Sequence, residues 1–277
     1  MALDPDKIFD HRFSDRSGSF PARDAILYAL CCGAGQDGDL RFVHEDGLTV
    51  LPSFGQNLCF DDSWMEPSGV ALATVVHGGL DLRMHRPLTP GAALTVRQRI
   101  AGLTDKGEGR PALILHQTDV LEQGEVLFTS LSNLFVMGGG GFGGSQGDTF
   151  EMIRTPDRAP DRTSVLATRP DSPLLFRLLG DQNPLHVRPE VAQAAGFAGP
   201  ILHGANTFGI VCHTLLALFC GSDAARLTRF AARFSGPLYP GERLAVSWWL
   251  GEGRVQFAAR SVERDSPVLD GGLAETR

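Results

Sequence analysis

The chain has 277 residues, of which 43% are hydrophobic and 21% are charged, a composition typical of a globular protein with a hydrophobic core. Its formal net charge is −7 without any block of basic residues, which argues against nucleic-acid binding. No segment reaches the roughly 18 uninterrupted apolar residues of a membrane span, so no membrane association is predicted.

The two ends of the chain and its cysteines favour a cytoplasmic location. The first residues lack the basic and then apolar regions of a signal peptide, and the final Glu-Thr-Arg is not a peroxisomal tripeptide. The five cysteines include no Cys-x-x-Cys pair, which argues against zinc ribbons and dithiol redox chemistry. Free cytoplasmic thiols are therefore expected.

The first half of the chain predicts one helix followed by strands. The apolar segment 22–32 is closed by Gly33, which is typical of a helix end. Runs rich in Val, Leu, Ile and Phe follow a Pro-Gly turn and predict strands at residues 94–100, 112–121 and 126–136. Short turns separate these runs, so an antiparallel sheet is expected rather than strand–helix–strand units.

A glycine-rich segment divides the chain into two halves of about equal length. Residues 138–148 read Gly-Gly-Gly-Gly-Phe-Gly-Gly-Ser-Gln-Gly-Asp, a composition typical of a flexible connector. We predict an N-terminal repeat at residues 1–137, a connector at 138–162 and a C-terminal repeat at 163–277.

Two phrases recur in the same order on either side of the connector. Residues 87–96 share Pro, Leu, Pro, Gly, Leu and Val, in register, with residues 237–246. His77-Gly78 in the first half is matched by His203-Gly204 in the second. These two repeated sequence motifs indicate a duplicated fold.

The second half predicts two helices and further strands. Segment 189–195 starts at Pro189 and is followed by Gly196, and segment 206–219 is apolar on nearly all sides and should be buried. Strands are predicted at residues 244–250 and 255–262. A long buried helix wrapped by an antiparallel sheet is the hot-dog arrangement. The predicted fold class is therefore α+β, a double hot-dog with two antiparallel sheets and the long central helix retained in the C-terminal repeat.

The two halves differ in the length that follows the His-Gly pair. From His203 to Pro237 there are 34 positions, which leaves room for the long helix and a strand, whereas from His77 to Pro87 there are only 10. The missing helix could leave space for the tail of a ligand. Alternatively, residues 51–60 fill the gap.

Three polar side chains near the start of the second half could carry acid–base chemistry. Asp181, Asn183 and His186 lie within six residues, and Pro184 disfavours helix at Asn183, so a turn is expected there. A carboxylate and an imidazole on one turn can hold a water molecule, take its proton and deliver a proton elsewhere. Asp181 and His186 are therefore the predicted catalytic pair.

A second feature is the entry to the long helix at His203-Gly204. The N–H groups at a helix N-terminus lack intrahelical partners, so the Gly204 N–H could stabilise negative charge developing on an oxygen. His203 could instead be a satisfied polar residue at a helix entry.

These residues also have other interpretations. Asp181, Asn183 and His186 could bind a metal, but no further carboxylate or histidine cluster follows at ligand spacing, so no metal site is predicted. The turn could also be purely structural. Ser164 and Cys212 lack the neighbours of a catalytic triad, which argues against a nucleophilic hydrolase.

These residues resemble the signature of the MaoC-like (R)-specific enoyl-CoA hydratases, and the first half resembles the hydratase domain of the peroxisomal multifunctional enzyme. The resemblance covers about residues 22–262. In the second half it is carried by Gly180-Asp181-x-Asn183-Pro184-Leu185-His186, Ala194-Ala195-Gly196-Phe197 and Pro200-Ile201-Leu202-His203-Gly204. In the first half it is carried by Tyr28-Ala29-Leu30, Asp39–Glu45, Leu51–Gly55 and Asp105–Gly109.

The resemblance implies reversible hydration of a trans-2-enoyl-CoA to a (3R)-3-hydroxyacyl-CoA, as in fatty acid metabolism. It assigns Asp181 and His186 as the catalytic pair and Asn183, His203 and Gly204 to substrate binding, with the Gly204 N–H receiving the thioester oxygen. It gives the N-terminal repeat a non-catalytic role in binding the acyl tail. It requires no metal or redox cofactor, since CoA is part of the acyl-CoA thioester substrate.

The sequence is also compatible with other functions. One is a hydratase or dehydratase of a bulky, dicarboxylic or aromatic acyl-CoA. Others are a non-catalytic hot-dog protein that binds acyl-CoA, and a hot-dog thioesterase. A duplicated chain supplies its own pseudo-dimer, and a homodimer of two such chains also remains open.

Overall fold

The structure is a computed structural model, and it describes residues 2–36 and 38–277. Six α-helices occur in these ranges: α1 (Pro5–Phe9), α2 (Ala22–Cys31), α3 (Gly55–Cys59), α4 (Ser172–Phe176), α5 (Pro189–Ala194) and α6 (Gly204–Phe219). The three helices expected from the sequence, α2, α5 and α6, are confirmed. Helix α5 begins at Pro189 and is followed by Gly196 in a left-handed conformation, as the sequence pattern indicates.

The described residues form eleven strands: β1 (Arg16–Gly18), β2 (Val75–Met84), β3 (Leu94–Asp105), β4 (Ala112–Glu122), β5 (Glu125–Val136), β6 (Gln146–Gly147), β7 (Arg162–Ala167), β8 (Leu227–Phe234), β9 (Arg243–Gly251), β10 (Arg254–Ser261) and β11 (Ser266–Thr276). All pairings are antiparallel. The strand order is β1-β3-β4-β5-β2-β8-β11-β10-β9-β7, with β6 added beside β3. All five strands expected from the sequence are confirmed.

The two halves share one sheet instead of forming the two sheets that were predicted. Strand β2 of the first half pairs with β8 of the second over five register positions, from Gly79 with Arg233 to Arg83 with Arg229. This pairing satisfies the outer edges of both strands, which would otherwise be left open. The prediction of two separate sheets is therefore corrected to one sheet of eleven strands.

Helix α6 lies in the main hydrophobic core. Phe208, Val211, Leu215 and Leu216 on this helix are fully buried, as its apolar sequence predicts. Close packing against α2 occurs at Gly209, where an added Cβ would lie 2.4 Å from both the Tyr28 hydroxyl and the Cys32 Sγ. Glycine at this position therefore sets the distance between the two helices.

We expect Gly209→Ala to destabilise the protein by about 1–3 kcal/mol, because the added methyl overlaps buried atoms of α2 and forces the helices apart. Urea unfolding followed by circular dichroism measures this change. Gly199→Ala is a suitable control, since nothing lies within 4 Å of a Cβ there and the backbone φ is not positive. Equal stability of the two variants would contradict the close packing.

Residues 51–60 fill the space where the first half lacks a long helix. The short 3-10 helix Pro52–Phe54 and α3 lie over the sheet, and an added Cβ at Gly55 would touch the Phe128 ring of β5 at 3.0 Å. Leu51, Phe54 and Cys59 are buried in the main core. Of the two interpretations of the shortened segment, the structure favours the one in which this segment replaces the helix.

The connector 138–162 is hydrogen-bonded to both halves. The Asp105 carboxylate accepts N–H groups from Gly141 and Gly143, both at 2.8 Å. Further along, Arg229 donates to Glu151 at 2.7 Å. These hydrogen bonds fix parts of a segment whose composition indicates flexibility. The boundaries of the two repeats, 1–137 and 163–277, stay predictions.

Within residues 2–36 and 38–277, no helix has the length and apolar character needed to cross a bilayer.

Candidate active site

A tight turn positions the first two polar residues of the site. Gly180 has a φ of +118°, a region that favours glycine, and it ends the 3-10 helix Arg177–Leu179 that follows α4. The Asp181 Oδ1 accepts the N–H of Asn183 at 3.2 Å, and the Asn183 Oδ1 accepts the N–H of Leu185 at 3.0 Å. Local side-chain to backbone bonds therefore fix the turn. Since the Asn183 oxygen is engaged, its amide NH₂ is the part that could contact a ligand.

His186 is presented by the next 3-10 turn, Pro184–His186, and is 9% exposed. Its Nδ1 lies 2.9 Å from the Ile201 carbonyl oxygen. Because a carbonyl only accepts, Nδ1 must carry the proton, and the lone pair of the neutral ring is left on Nε2. Burial lowers the pKa of His186 below its usual value, although the Ile201 bond and the Asp181 charge act in the opposite direction. A neutral imidazole is a base that can accept a proton.

The structure adds His203 to the pair. Its ring stacks on that of His186 with centroids 3.7 Å apart and an interplanar angle of 28°. Its Nε2 lies 3.3 Å from the backbone oxygen of Asp181, and the Phe176 ring lies 4.6 Å away on another side. The residue is 1% exposed. Burial, followed by the charge of His186, lowers its pKa to about 3.

The burial of His203 favours a role behind Asp181 and His186, the predicted catalytic pair, over the substrate contact expected from the sequence. One face of its ring stacks on His186, and its Nε2 is hydrogen-bonded to the backbone oxygen of Asp181. The ring can therefore fix where His186 points. The sequence did not predict this contact, because α5 and a loop separate His186 from His203 along the chain.

Ligand atoms of Asp181, His186 and His203 lie within 4.8 Å of one another, so these residues could in principle hold a metal ion. Sequence spacing did not reveal this group, because its third member lies 17 positions beyond His186. The stacked rings are a poor fit for one ion. A metal lies in the plane of an imidazole along its lone pair, and nearly parallel planes do not direct two lone pairs to a common point.

Gly204 is the first residue of α6, so its N–H has no intrahelical acceptor. It follows His203 directly, which places this amide in the same corner of the structure as the histidine pair. An added Cβ at Gly204 would lie 3.1 Å from the Phe234 ring. Glycine at this position therefore allows the Phe234 ring to pack closely against the start of α6. Tyr28 donates its hydroxyl to the Ala205 oxygen at 3.4 Å, a contact to this first turn that sequence motifs did not predict.

Comparisons with known proteins cover both halves of the chain. Residues 151–271 match the family described as "MaoC like domain". Residues 19–138 match the family described as "MFE-2 hydratase 2 N-terminal domain".

The chain is 38% identical to the protein named "3-hydroxyacyl-thioester dehydratase Y" of Mycobacterium tuberculosis, over 99% of each chain. It is 33% identical to "Enoyl-CoA hydratase ChsH3" of the same organism, over 99% of this chain and 98% of the relative. A crystal structure described as a MaoC-like dehydratase from Phytophthora capsici superposes with a TM-score of 0.90 at 29% identity, over 99% and 98% of the two chains. The predicted α+β double hot-dog class is thereby confirmed, and the chain belongs to the MaoC-like dehydratase family, with an N-terminal half of the MFE-2 hydratase 2 type.

Proposed function

We propose that the protein catalyses the reversible addition of water to a trans-2-enoyl-CoA, giving a (3R)-3-hydroxyacyl-CoA. The observation that carries this proposal is the approach of the Asp181 carboxylate and a neutral His186 imidazole beside the first turn of α6. The names of the relatives, a hydroxyacyl-thioester dehydratase and an enoyl-CoA hydratase, support the two directions of one reaction.

In the proposed reaction, Asp181 and His186 hold one water molecule between them. The His186 Nε2 lone pair and the carboxylate accept its hydrogens, so that together they take a proton as the oxygen attacks the β-carbon and return a proton to the α-carbon. The Asn183 NH₂ orients the water. The N–H of Gly204 donates to the thioester oxygen, where negative charge builds as the double bond is lost.

No metal or redox cofactor takes part in this proposal, because water activation and enolate stabilisation are both assigned to side chains and an amide of this chain. The CoA moiety enters as part of the substrate. The N-terminal repeat, 1–137, is proposed to bind the acyl tail without taking part in the chemistry. A homodimer and a cytoplasmic location remain predictions.

Hydration of crotonyl-CoA and of longer trans-2-enoyl-CoAs tests the proposal through loss of the absorbance of the conjugated thioester. We expect turnover without release of free CoA thiol, which a thiol reagent would detect. Thiol release would indicate a thioesterase instead. Tight binding without turnover across a broad panel would indicate a non-catalytic acyl-CoA-binding protein.

We expect the acid limb of the kcat/KM profile to lie below pH 6.5. Hydration requires neutral His186, and burial holds its pKa below that ordinary value, so protonation inactivates the free enzyme only at lower pH. The same burial makes the unfolded chain bind more protons than the folded one below pH 6.5, so stability also falls as the pH decreases from there. Circular dichroism at each pH separates the two effects. An acid limb above pH 6.5 with an intact fold would contradict the assigned base.

A further inference from the structure

The buried face of the sheet in the N-terminal repeat carries polar side chains between two separate apolar clusters. Gln98 on β3, Thr118 on β4 and Ser130 on β5 are direct cross-strand neighbours, and His116 lies two residues from Thr118 on the same face. Each is less than 8% exposed. These four residues form a polar strip. Apolar core residues lie on both sides of it, in two clusters that do not merge.

The C-terminal repeat has no such strip at the matching place. Alignment of the two Pro-Gly phrases puts Gln98 opposite Trp248. Trp248 is fully buried, pairs across the sheet with Phe257 and contacts the Phe219 ring of α6. The position of Gln98 is thus apolar in the C-terminal repeat, where the one fully buried polar side chain on β10 is the small hydroxyl of Ser261.

Gln98 donates to the Cys59 carbonyl oxygen at 3.4 Å, and Ser130 accepts from Gln56 at 2.8 Å. Burial of a polar group costs free energy unless it gains a partner, so the member that requires an explanation is His116.

Several polar atoms beside the strip have no hydrogen-bond partner among the described residues. They are the indole Nε1 of Trp64, the Nε2 of His116 and the Oγ of Ser68. Trp64 and Ser68 are each 1% exposed, and the Trp64 ring stacks on that of His116 with centroids 5.4 Å apart. A buried polar atom without a partner has lost its hydrogen bonds to water, so a ligand atom that satisfies it is favoured. The stacked rings of Trp64 and His116 thus each carry a nitrogen without a hydrogen-bond partner among the described residues.

A line of contacts leads from the candidate active site toward the strip. An added Cβ at Gly204 would touch Phe234, and the Phe234 ring lies 5.2 Å from that of His77. His77 is exposed to solvent. Strand β4, which carries His116, lies three strand spacings from β8, which carries Phe234, or about 15 Å.

We propose that the acyl group of the substrate carries a hydroxyl or ketone oxygen about 15 Å from the thioester, and that this oxygen hydrogen-bonds to Trp64 Nε1 and His116 Nε2. This inference rests on the proposed function. Trp64 lies on the segment between α3 and β2 and stacks on His116, so entry of an acyl group requires this segment to move outward.

The groups around the strip fit a neutral oxygen better than a carboxylate. Burial lowers the pKa of His116 to about 4, so the ring is uncharged at neutral pH. The nearby guanidinium of Arg16 already pairs with Asp61 at 3.4 Å. A ligand carboxylate would therefore be buried without a counter-charge, which is far more costly than burying a hydroxyl or ketone.

The test compares trans-2-enoyl-CoAs of matched, graded chain length with and without an ω-hydroxyl group. We expect kcat/KM at one chain length to be about tenfold higher with the hydroxyl, the effect of one or two net hydrogen bonds. Crotonyl-CoA is too short to reach the strip and reports the chemistry alone. Turnover of crotonyl-CoA without any preference for the hydroxyl would overturn this inference and leave the proposed function standing. Absence of all turnover would sink the proposed function itself.

Trp64→Phe removes the indole N–H while keeping an aromatic ring, and it is expected to abolish the preference, measured as the ratio of kcat/KM with and without the hydroxyl in the same variant. Phe13→Leu is the matched control, because the Phe13 ring contacts both Trp64 and His116 at 5.9 and 5.6 Å but has no polar atom. It should keep the preference. A preference that survives in Trp64→Phe contradicts the assigned contact. If this variant does not fold, the wild-type comparison decides alone.

Discussion

Replacing Asp181 with Asn or His186 with Ala is expected to lower the rate of crotonyl-CoA hydration by about 10²-fold or more. Asn keeps the shape of the Asp181 side chain but removes the negative charge that helps to take the water proton. Ala at position 186 removes the Nε2 lone pair that the Ile201 bond leaves available. Initial rates at saturating substrate measure both losses.

Gln182→Ala provides the matched control for these variants. Gln182 lies between Asp181 and Asn183 on the same turn and is exposed, so its loss should leave the rate nearly unchanged. Thermal unfolding of all three variants shows whether the turn is intact. Near-full activity of either Asp181→Asn or His186→Ala would remove that residue from the catalytic pair.

The second large effect is expected at the junction of the two repeats, where Asp81→Ala should destabilise the protein by about 3 kcal/mol or more. Asp81 on β2 is 2% exposed, and its two carboxylate oxygens accept from the Nε and Nη2 of Arg229 on β8, at 2.9 and 2.7 Å. Asp81 and Glu151 outweigh the effect of burial and raise the pKa of Arg229, so the guanidinium stays charged. Removing Asp81 takes away the buried partner of this guanidinium, which is 11% exposed, and leaves it with the carboxylates of Glu151 and Glu275, which are about half exposed to solvent. Urea unfolding measures the change.

Asp15→Asn is the comparison for this stability effect. Asp15 also forms a two-point pair with an arginine, Arg97, at 3.2 and 2.9 Å, but both side chains are about half exposed. Solvent screens such a pair, so little change in unfolding is expected. If both substitutions have equally small effects, the buried pair does not hold the two repeats together.

The sequence alone determined the elements whose signal is local. Helix α6 followed from apolar residues on all sides, and α5 from proline at its start and glycine after its end. The turn that carries Asp181, Asn183 and His186 was predictable because Pro184 and the polar residues around it act on their immediate neighbours. Strand β11 was missed, since Gly271-Gly272 interrupt its apolar pattern and only the pairing with β8 and β10 makes it a strand.

Only the tertiary structure decided which distant residues meet. The two repeats are joined by the pairing of β2 with β8, and the Asp81–Arg229 ion pair connects the same two strands. No local sequence pattern encodes this pairing, because the strands are far apart in the chain. The stacking of His203 on His186 depends on how α6 enters the core. Apolar periodicity and turn chemistry are properties of neighbouring residues. Sheet closure, ring stacking and the filling of a missing helix depend on packing between segments far apart in the chain.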